Sequence, residues 1–306
     1  MAHKPLLSVI VCTYNRQEYV LKNLEALTLQ KGITKDEFEV LLVNNNSPDN
    51  TAALVKEFIA NHSETNIKYF LETNQGHTYA RNRGINEASG DFLIFLDDDA
   101  FVRPDYCINL ISFFKENPQA DIMGGRIYPI YVNGKEPEWM TKYLLPLVVA
   151  LDKGDQVVEY AQSKFPTGAN MAFRKVVFEQ CGLFNVELGR RGKGLEGGDE
   201  KDMILRAKKQ GFRAFYAPFV IVDHIIPPHR VELEYIKGLA LGVGRHERTR
   251  LKPEGFGRLF KKWLEEIIKI AGTLVLATMF SLKGQFSKSK MLIRFRYWVV
   301  KGLSGF

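Results

Sequence analysis

Short apolar runs recur along the first third of the chain, and each is followed by polar residues and then by a segment with helical spacing. The first two runs cover residues 6–12 and 39–43, and between them Val20, Leu24 and Leu27 lie on one face of a helix. Runs rich in Val, Ile and Leu that alternate with helical segments are typical of parallel strands joined by helices. The pattern therefore predicts βαβ units.

The same alternation continues to residue 96 and then becomes less regular. Beyond the first unit, the pattern predicts helix 51–59, strand 67–71, helix 79–87, strand 91–96, strand 120–131, a helix from Lys175, and helices 230–250 and 259–282. We predict an α/β fold with a doubly wound, mostly parallel mixed sheet flanked by helices and a C-terminal helical extension. The predicted domains are residues 1–228 for the sheet and 229–306 for the extension.

Three adjacent carboxylates, those of Asp97, Asp98 and Asp99, directly follow the apolar strand that ends at Leu96. Close-set carboxylates repel one another, so either one takes up a proton at a raised pKa or the cluster recruits a cation. Ligands of open α/β sheets bind beyond the carboxyl ends of the strands, which is where these residues would lie. The triplet alone is consistent with a metal site or with a solvated polar turn.

The three cysteines, Cys12, Cys107 and Cys181, are widely spaced and lie in no cluster with histidine. This spacing suggests neither a disulfide framework nor a structural zinc site, so we expect a cytoplasmic protein. The apolar run 6–12 is too short for the core of a signal peptide, and we interpret it as the first strand. No glycine-rich dinucleotide or P-loop motif follows the predicted strands, so a metal must do much of any phosphate binding.

The positive charge of the chain is concentrated at its end. The net charge is +7, and residues 251–306 hold 11 Lys and Arg against 3 Asp and Glu, so the rest of the chain is close to neutral. A general nucleic-acid-binding surface is therefore not expected, whereas a basic tail rich in aromatic residues suits an anionic membrane surface.

The apolar centre of the last predicted helix, residues 270–282, is shorter than the roughly 20 residues needed to span a bilayer. An interfacial helix is compatible with its basic flanks, which contain Lys261, Lys262, Lys283, Lys288 and Lys290. The basic and aromatic segment 294–298 is of the kind found at headgroup depth. Peripheral contact with the inner face of the cell membrane is one prediction, and packing of this helix on the main domain is the alternative.

Several short motifs follow one another in a fixed order between residues 6 and 225. They are SVIVCTYNR at 8–16, NNNSPDNT at 44–51, NQG at 74–76, ARNRG at 80–84, the aspartate triplet, GANM at 168–171, GLF at 182–184 and GDEKDMILR at 198–206. In this order they resemble the family 2 glycosyltransferases, which have the GT-A fold. The ordered series is far more specific than any single motif.

The resemblance implies an inverting glycosyltransferase of the hexosyltransferase type, which moves a sugar from a nucleotide-diphosphate sugar to a hydroxyl group. It also implies a divalent cation, Mn²⁺ or Mg²⁺, because a cation that bridges the two phosphates offsets the charge of the leaving group. A UDP-sugar is the leading donor, with GDP- and dTDP-sugars still open. The implied acceptor is a glycan or a lipid-linked glycan in surface polysaccharide synthesis.

The resemblance also assigns residues to the donor site. Asp99 is implied as the main metal ligand, with Asp97 as a second ligand and His224 as the residue that completes the shell. The residues implied to contact the nucleotide-sugar are Thr13, Tyr14, Arg16, Asn44, Arg81, Asp97 and Asp98. Three of these assignments have structural alternatives: Tyr14 could cover a strand edge, Arg81 could be a solvated helix residue, and His224 could be a hydrogen-bonded structural histidine.

An inverting displacement needs a base that takes the proton of the attacking hydroxyl. The resemblance assigns this role to Glu200, with Asp199 as its neighbour. The common form of the motif has the two acids in the opposite order, so the choice between Asp199 and Glu200 stays open. Asp202 and Arg206 are spaced to form an ion pair within one helix, and we interpret that pair as structural.

Two other functions are compatible with parts of this pattern. A non-catalytic nucleotide-sugar-binding protein or scaffold of a glycan assembly complex could retain the fold, although the intact acidic motifs favour an enzyme. A sugar-phosphate nucleotidyltransferase would share a related fold and metal use. That chemistry usually has a glycine-rich loop after the first strand, whereas Thr13 to Arg16 contain no glycine.

Overall fold

Four parallel strands form the first half of a mixed sheet in the computed structural model, which describes residues 4–189, 197–252 and 255–305. The strands are β1 (Leu7–Thr13), β2 (Phe38–Asn44), β3 (Ile67–Leu71) and β4 (Phe92–Asp97), and the helices that join them are α1 (Gln17–Thr28), α2 (Thr51–Asn61) and α3 (His77–Glu87). β1 pairs with both β2 and β4, so the winding direction reverses beside β1. This reversal leaves a crevice at the carboxyl ends of the strands.

The second half of the sheet is mainly antiparallel. Its strands are β5 (Ala100–Val102), β6 (Ile122–Tyr131), β7 (Val158–Glu159), β8 (Asn170–Arg174) and β9 (Ala214–Ile226). The helices in this part of the chain are α4 (Tyr106–Glu116), α5 (Lys175–Cys181) and α6 (Asp199–Lys209). The strand order is β3-β2-β1-β4-β8-β6-β9-β5, and β7 pairs with β9. The predicted α/β fold with a mixed, helix-flanked sheet and a C-terminal helical region is confirmed. The sheet was predicted to be mostly parallel, but its parallel part is limited to β3-β2-β1-β4, because the later strands pair in the antiparallel direction.

Both faces of the sheet are buried, because helices cover them. Every residue of β1 is buried, as expected for a central parallel strand. One core lies against α1 and α4, and the other lies against α3, α5 and α6. In the second core the ring of Phe95 meets those of Phe173, Phe178 and Phe184 at centroid distances of 5.7, 5.8 and 5.4 Å.

The described residues form two compact units. The first contains residues 4–129, 149–189 and 198–225, and the second contains residues 130–148 and most of 226–305. The second unit includes 3₁₀ helices at Leu145–Val148 and Pro228–Val231, and its long helices are α7 (Leu233–Leu251), α8 (Phe256–Leu282) and α9 (Phe286–Ser304). The predicted domain boundary at residue 228 stays a prediction. Residues 130–148, which that prediction assigns to the first domain, belong to the second compact unit.

Helices α7 and α9 approach closely because each has a glycine at the contact. A Cβ atom on Gly244 would lie 2.1 Å from the carbonyl oxygen of Val299, and one on Gly302 would lie 2.2 Å from that of Leu241. No side chain fits at either position without moving the backbone. Among the helices of the described residues, none is long and apolar enough to cross a bilayer.

Helix α8 has an unusual distribution of polarity, because it buries an ion-pair cluster and exposes apolar side chains. Glu266 is 1% exposed and accepts hydrogen bonds from Lys269 Nζ (2.7 Å) and Arg296 Nη1 (2.8 Å), with Lys262 Nζ at 3.2 Å. The outer face of α8 consists of the large apolar side chains that are 47–84% exposed: Phe256, Phe260, Leu264, Ile267, Ile268, Leu274, Val275, Met279 and Leu282. A contiguous apolar face of this size on a soluble surface usually marks an interaction site.

Candidate active site

The carboxyl ends of three neighbouring strands place polar side chains at one edge of the sheet. Thr13 at the end of β1 is opposite Asn44 at the end of β2, and Cys12 is opposite Asp97 at the end of β4. This register brings three of the predicted site residues together, although they are widely separated in the sequence.

The turn that contains the aspartate triplet is held by a residue of α1. Asn23 is 1% exposed and donates from Nδ2 to the carbonyl oxygens of Asp97 (3.2 Å) and Ala100 (2.9 Å). Sequence analysis did not identify Asn23. The available signal was a polar residue on the apolar face formed by Val20 and Leu24, because a buried amide needs hydrogen-bond partners.

Asp97, Asp99 and His224 form a group that could hold a metal ion, since one donor atom from each lies within 4.8 Å of the others. Strand β9 supplies His224, which is opposite Ala100 of β5. The imidazole Nε2 lies 3.1 Å from Asp99 Oδ1, and Ile225 N donates to the carbonyl oxygen of Asp99 at 2.8 Å.

The donor set fits the cation that the fold implies. Two carboxylates and an imidazole suit Mn²⁺, whereas Mg²⁺ is usually held by carboxylates, phosphates and water. The predicted ligands Asp97, Asp99 and His224 are therefore brought together, and their role as ligands stays a prediction.

Asp98 points to a different partner from its two neighbours. Asp98 is 8% exposed, and its carboxylate accepts a hydrogen bond from Thr13 Oγ1 at 2.7 Å. Burial and the charge of Asp99 raise the pKa of Asp98 to about 8, although the hydrogen bond from Thr13 lowers it. Asp98 therefore links the triplet to the end of β1.

A buried arginine pairs with the acids of the second acidic motif. Arg81 of α3 is 1% exposed, and its Nη1 lies 2.6 Å from Asp199 Oδ2 and 3.1 Å from Glu200 Oε1. Burial lowers the pKa of Arg81, but the charges of Glu200, Asp199 and Asp97 more than offset this effect and raise it. The structure thus excludes a solvated surface position for Arg81.

The two acids at the start of α6 differ in accessibility. The side chain of Asp199 is 3% exposed, whereas that of Glu200 is 24% exposed. Gly168 packs directly on the ion pair of Glu200 and Arg81, because a Cβ atom there would lie 2.2 Å from Glu200 Oε1 and 2.3 Å from Arg81 Nη2. Asp199 is therefore positioned to hold Arg81, while Glu200 also reaches the solvent side.

The remaining acid of this motif, Asp202, forms the ion pair that was predicted within one helix. Asp202 Oδ2 accepts a hydrogen bond from Arg206 Nε at 2.8 Å within α6. Arg206 also donates from Nη1 to the carbonyl oxygen of Cys181 at 2.6 Å, which ties α6 to the end of α5.

The loops after β1 and β2 are joined to each other. Asn15 N donates to Ser47 Oγ at 3.0 Å, and both Asn15 (φ 55°) and Asn46 (φ 56°) have left-handed backbone conformations. Asparagine tolerates this conformation better than most side chains. Tyr14 is 41% exposed beside this junction, so its ring is accessible for stacking.

Arg16 and Asn44 have local partners. Arg16 precedes α1, and its guanidinium lies 5.8 Å from the ring centroid of Tyr19. Asn44 is 1% exposed; its Oδ1 accepts from Ser47 N (2.9 Å) and Oγ (2.6 Å), and its Nδ2 donates to Tyr69 Oη (3.1 Å). These bonds assign Asn44 to holding the loop, and the predicted contact with a nucleotide base stays untested.

Replacing Arg81 with methionine is expected to lower the free energy of unfolding by about 3–5 kcal/mol, because it leaves the buried Asp199 carboxylate without its counter-charge. Urea denaturation measures the effect. Arg83→Met on the same helix is the matched control, because its ion pair with Glu87 is more exposed and is worth at most about 1 kcal/mol. Equal losses in the two variants would contradict the bracing role of Arg81.

The mixed sheet, with acidic groups that could hold a cation where its winding direction reverses, is typical of α/β enzymes that bind a ligand in this crevice. Comparison with known sequences makes the class specific: residues 8–182, more than half of the chain, match glycosyl transferase family 2. The chain belongs to this family and is a glycosyltransferase.

Two curated archaeal relatives match most of the chain. One is glucosyl-dolichyl phosphate glucuronosyltransferase of Haloferax volcanii, which is 25% identical over 79% of this chain and 76% of its own length. The other, from Methanococcus voltae, is dolichyl N-acetyl-alpha-D-glucosaminyl phosphate 3-beta-D-2,3-diacetamido-2,3-dideoxy-beta-D-glucuronosyltransferase. It is 27% identical over 71% of this chain and 66% of its own length.

Solved structures support the GT-A fold. The mannosyltransferase PcManGT of Pyrobaculum calidifontis, in complex with GDP-Man and Mn²⁺, has a TM-score of 0.67 at 17% identity and covers 98% of this chain and 86% of its own. TarS 1-349 of S. aureus, in complex with UDP-GlcNAc, has a TM-score of 0.55 at 21% identity and covers 78% and 66%. At these identities the likeness concerns the fold alone.

Proposed function

We propose that this glycosyltransferase moves a sugar, with inversion, from a nucleotide-diphosphate sugar to a hydroxyl of a lipid-linked glycan. The observation that carries the proposal is the proximity of two acidic groups. Arg81 pairs with Asp199 and Glu200, and its charge also interacts with that of Asp97, which belongs to the group with Asp99 and His224. A lipid-linked acceptor is supported by the two archaeal relatives, because the name of each mentions a dolichyl phosphate-linked sugar.

In the proposed reaction, the acceptor oxygen forms a bond to the anomeric carbon of the donor sugar as the bond from that carbon to the phosphate oxygen breaks. The nucleoside diphosphate leaves with the bonding electrons, and Glu200 takes the proton of the acceptor hydroxyl. A divalent cation, for which we propose Mn²⁺, offsets the charge on the diphosphate when it is bound. Asp97, Asp99 and His224 would hold the cation, while Arg81 keeps Glu200 oriented.

The donor nucleotide is proposed to lie over the loops after β1 and β2. Tyr14 would stack on the base, and Thr13 would act through its hydrogen bond to Asp98. Asn44 holds the loop that would face the base, and its local hydrogen bonds do not select one base over another. We therefore keep UDP as the first candidate for the nucleotide of the donor and GDP as the second. Solved neighbours with GDP-Man and with UDP-GlcNAc support testing both donors.

The proposal is tested by incubating the full chain with UDP-, GDP- and dTDP-sugars and Mn²⁺. Slow hydrolysis of one donor class without an acceptor is expected, together with faster turnover when a polyprenyl phosphate sugar is added. Tight donor binding without any turnover, with every acceptor tried, would favour the non-catalytic alternative.

We further propose that the C-terminal extension contacts the membrane through the outer face of α8. Burial of an apolar face at the interface stabilises binding, and basic side chains beside it attract anionic lipids. Arg258, Lys261 and Lys283 are basic residues of α8 and its C-terminal end and supply this charge. An anionic bilayer fits better than a second copy of the chain, whose equally basic face would be repelled.

Ile268→Asp is expected to weaken association with phosphatidylglycerol-containing vesicles about tenfold or more, because Ile268 is 72% exposed on the outer face of α8 and its burial contributes roughly 1.5–3 kcal/mol. Vesicle flotation measures the change. Leu29→Asp is the matched control, since Leu29 is 61% exposed but lies beyond α1. Equal weakening by both substitutions would contradict contact through α8.

A further inference from the structure

The second unit contains a cavity of about 390 Å³ near the end of α8, which lies within the roughly 300–1,000 Å³ typical of small-ligand sites. Three lysines line it: Lys142 from the segment before the first 3₁₀ helix, Lys283 after α8, and Lys288 in the first turn of α9. None of its described lining residues is acidic. The cavity is therefore an electropositive site.

These lysines are not neutralised by neighbouring side chains. Within the described ranges, no carboxylate pairs with Lys142, Lys283 or Lys288. Lys288 Nζ instead lies 5.9 Å from the ring centroid of Phe280, and the first turn of α9 has no acidic residue. A cation in the first turn opposes the helix dipole, so a bound anion would relieve this repulsion.

A buried hydroxyl group independently indicates a ligand. Thr141 is 7% exposed and lines the cavity, and its Oγ1 has no hydrogen-bond partner in the part of the chain that the structure describes. Buried polar atoms are rarely left without a partner, because each one costs about 1–3 kcal/mol. The hydroxyl is a donor that an anionic oxygen in the cavity would satisfy.

The cavity also has an apolar wall formed by Leu276, Met279 and Phe280. Met279 is 50% exposed and belongs to the outer face of α8 as well. A free phosphate ion would gain nothing from these side chains, whereas a phospholipid has acyl chains that can lie along them. The combination favours a lipid over a soluble anion.

We propose that this cavity binds the headgroup phosphate of an anionic phospholipid in the membrane on which α8 rests. Lys142, Lys283 and Lys288 would bind the phosphate oxygens, Thr141 would donate a hydrogen bond, and the acyl chains would follow the outer face of α8. The inference rests on the proposed membrane contact and is independent of sugar transfer.

The test compares two triple variants of the full chain with equal loss of charge. Lys142→Gln, Lys283→Gln and Lys288→Gln together remove the cavity lysines, whereas Lys261→Gln, Lys290→Gln and Lys301→Gln remove exposed lysines outside it. General attraction to the membrane weakens about equally in both variants. We expect the cavity variant to bind phosphatidylglycerol-containing vesicles about tenfold more weakly than the control variant, and equal binding by the two would overturn the proposal.

Thr141→Val provides a second measurement that leaves the charge unchanged. It is expected to weaken binding to these vesicles about threefold to tenfold, as for loss of one hydrogen bond of ordinary net strength. Unchanged binding would overturn the proposal while leaving contact through α8 intact. A third measurement uses inorganic phosphate alone. If phosphate stabilises the protein thermally and displaces it from vesicles at the same concentration, the cavity is a site for free phosphate, and the proposed phospholipid site is overturned.

Discussion

Replacing Glu200 with glutamine is expected to slow sugar transfer by about 10²- to 10⁴-fold, the range that a general base contributes. The substitution keeps the size of the side chain and removes its capacity to take the acceptor proton, together with the negative charge that faces Arg81. Binding of the nucleotide-sugar is expected to change less than about threefold, because neutral glutamine can still contact Arg81. Single-turnover rates and donor titrations measure the two effects separately.

Glu57→Gln is the matched control for this prediction, since Glu57 is exposed on α2 in the same unit and contacts none of the site residues. Asp199→Asn separates the two candidate bases. It is expected to lower stability as well as activity, because Asp199 holds the buried Arg81. Transfer at the normal rate by Glu200→Gln, with a folded and inactive Asp199→Asn, would assign the base to Asp199.

Replacing Asp99 with asparagine is expected to reduce transfer about a thousandfold, because the cation it helps to hold contributes several kcal/mol to the stabilisation of charge in the transition state. Asp99 belongs to the group with Asp97 and His224, and its Oδ1 lies 3.1 Å from His224 Nε2. The isosteric amide keeps the shape of the turn but loses the negative charge. The Mn²⁺ affinity, measured from the paramagnetic resonance signal of free Mn²⁺, is expected to fall with the rate.

Asp36→Asn is the control for this substitution, since Asp36 is an exposed residue between α1 and β2. Its Mn²⁺ affinity and transfer rate should equal those of the unaltered protein. If Asp99→Asn binds Mn²⁺ normally and still transfers sugar, the proposed metal site is wrong.

The parallel half of the sheet could be predicted because its elements are local in the sequence. The strands predicted at 67–71 and 91–96 differ from the observed β3 and β4 by at most one residue at either end. The helices between them show the spacing of a half-buried face. Because these helices pack on both faces of the sheet, little freedom is left for another arrangement of the elements.

The antiparallel half was less predictable, because its strands are short or their pattern changes along their length. β5 has only three residues, Ala100–Val102, and no element was predicted between the triplet and residue 120, where the structure has β5 and α4. β9 extends from Ala214 to Ile226, and Asp223 and His224 interrupt its apolar pattern near the end. Pairing of β5 with β9 nevertheless determines where His224 lies.

The candidate site divides in the same way. The three aspartates could be placed from local sequence, because they end a strand. The contacts of Arg81 with Asp199 and Glu200 could not, since they join residues more than a hundred positions apart. Asn23 carries no chemistry of its own, and its role depends on the backbone of a distant turn.

The polarity of α8 also has a consequence for work with the purified protein. Helix α8 buries Glu266 among cations and exposes Ile268 and Leu282. When lipid is absent, these apolar side chains stay in contact with water. In detergent-free buffer, such a face lowers solubility and adsorbs to plastic and to chromatography resins. Recovery should therefore improve in mild detergent or nanodiscs, and crystallisation trials are better begun in those media than in simple buffers.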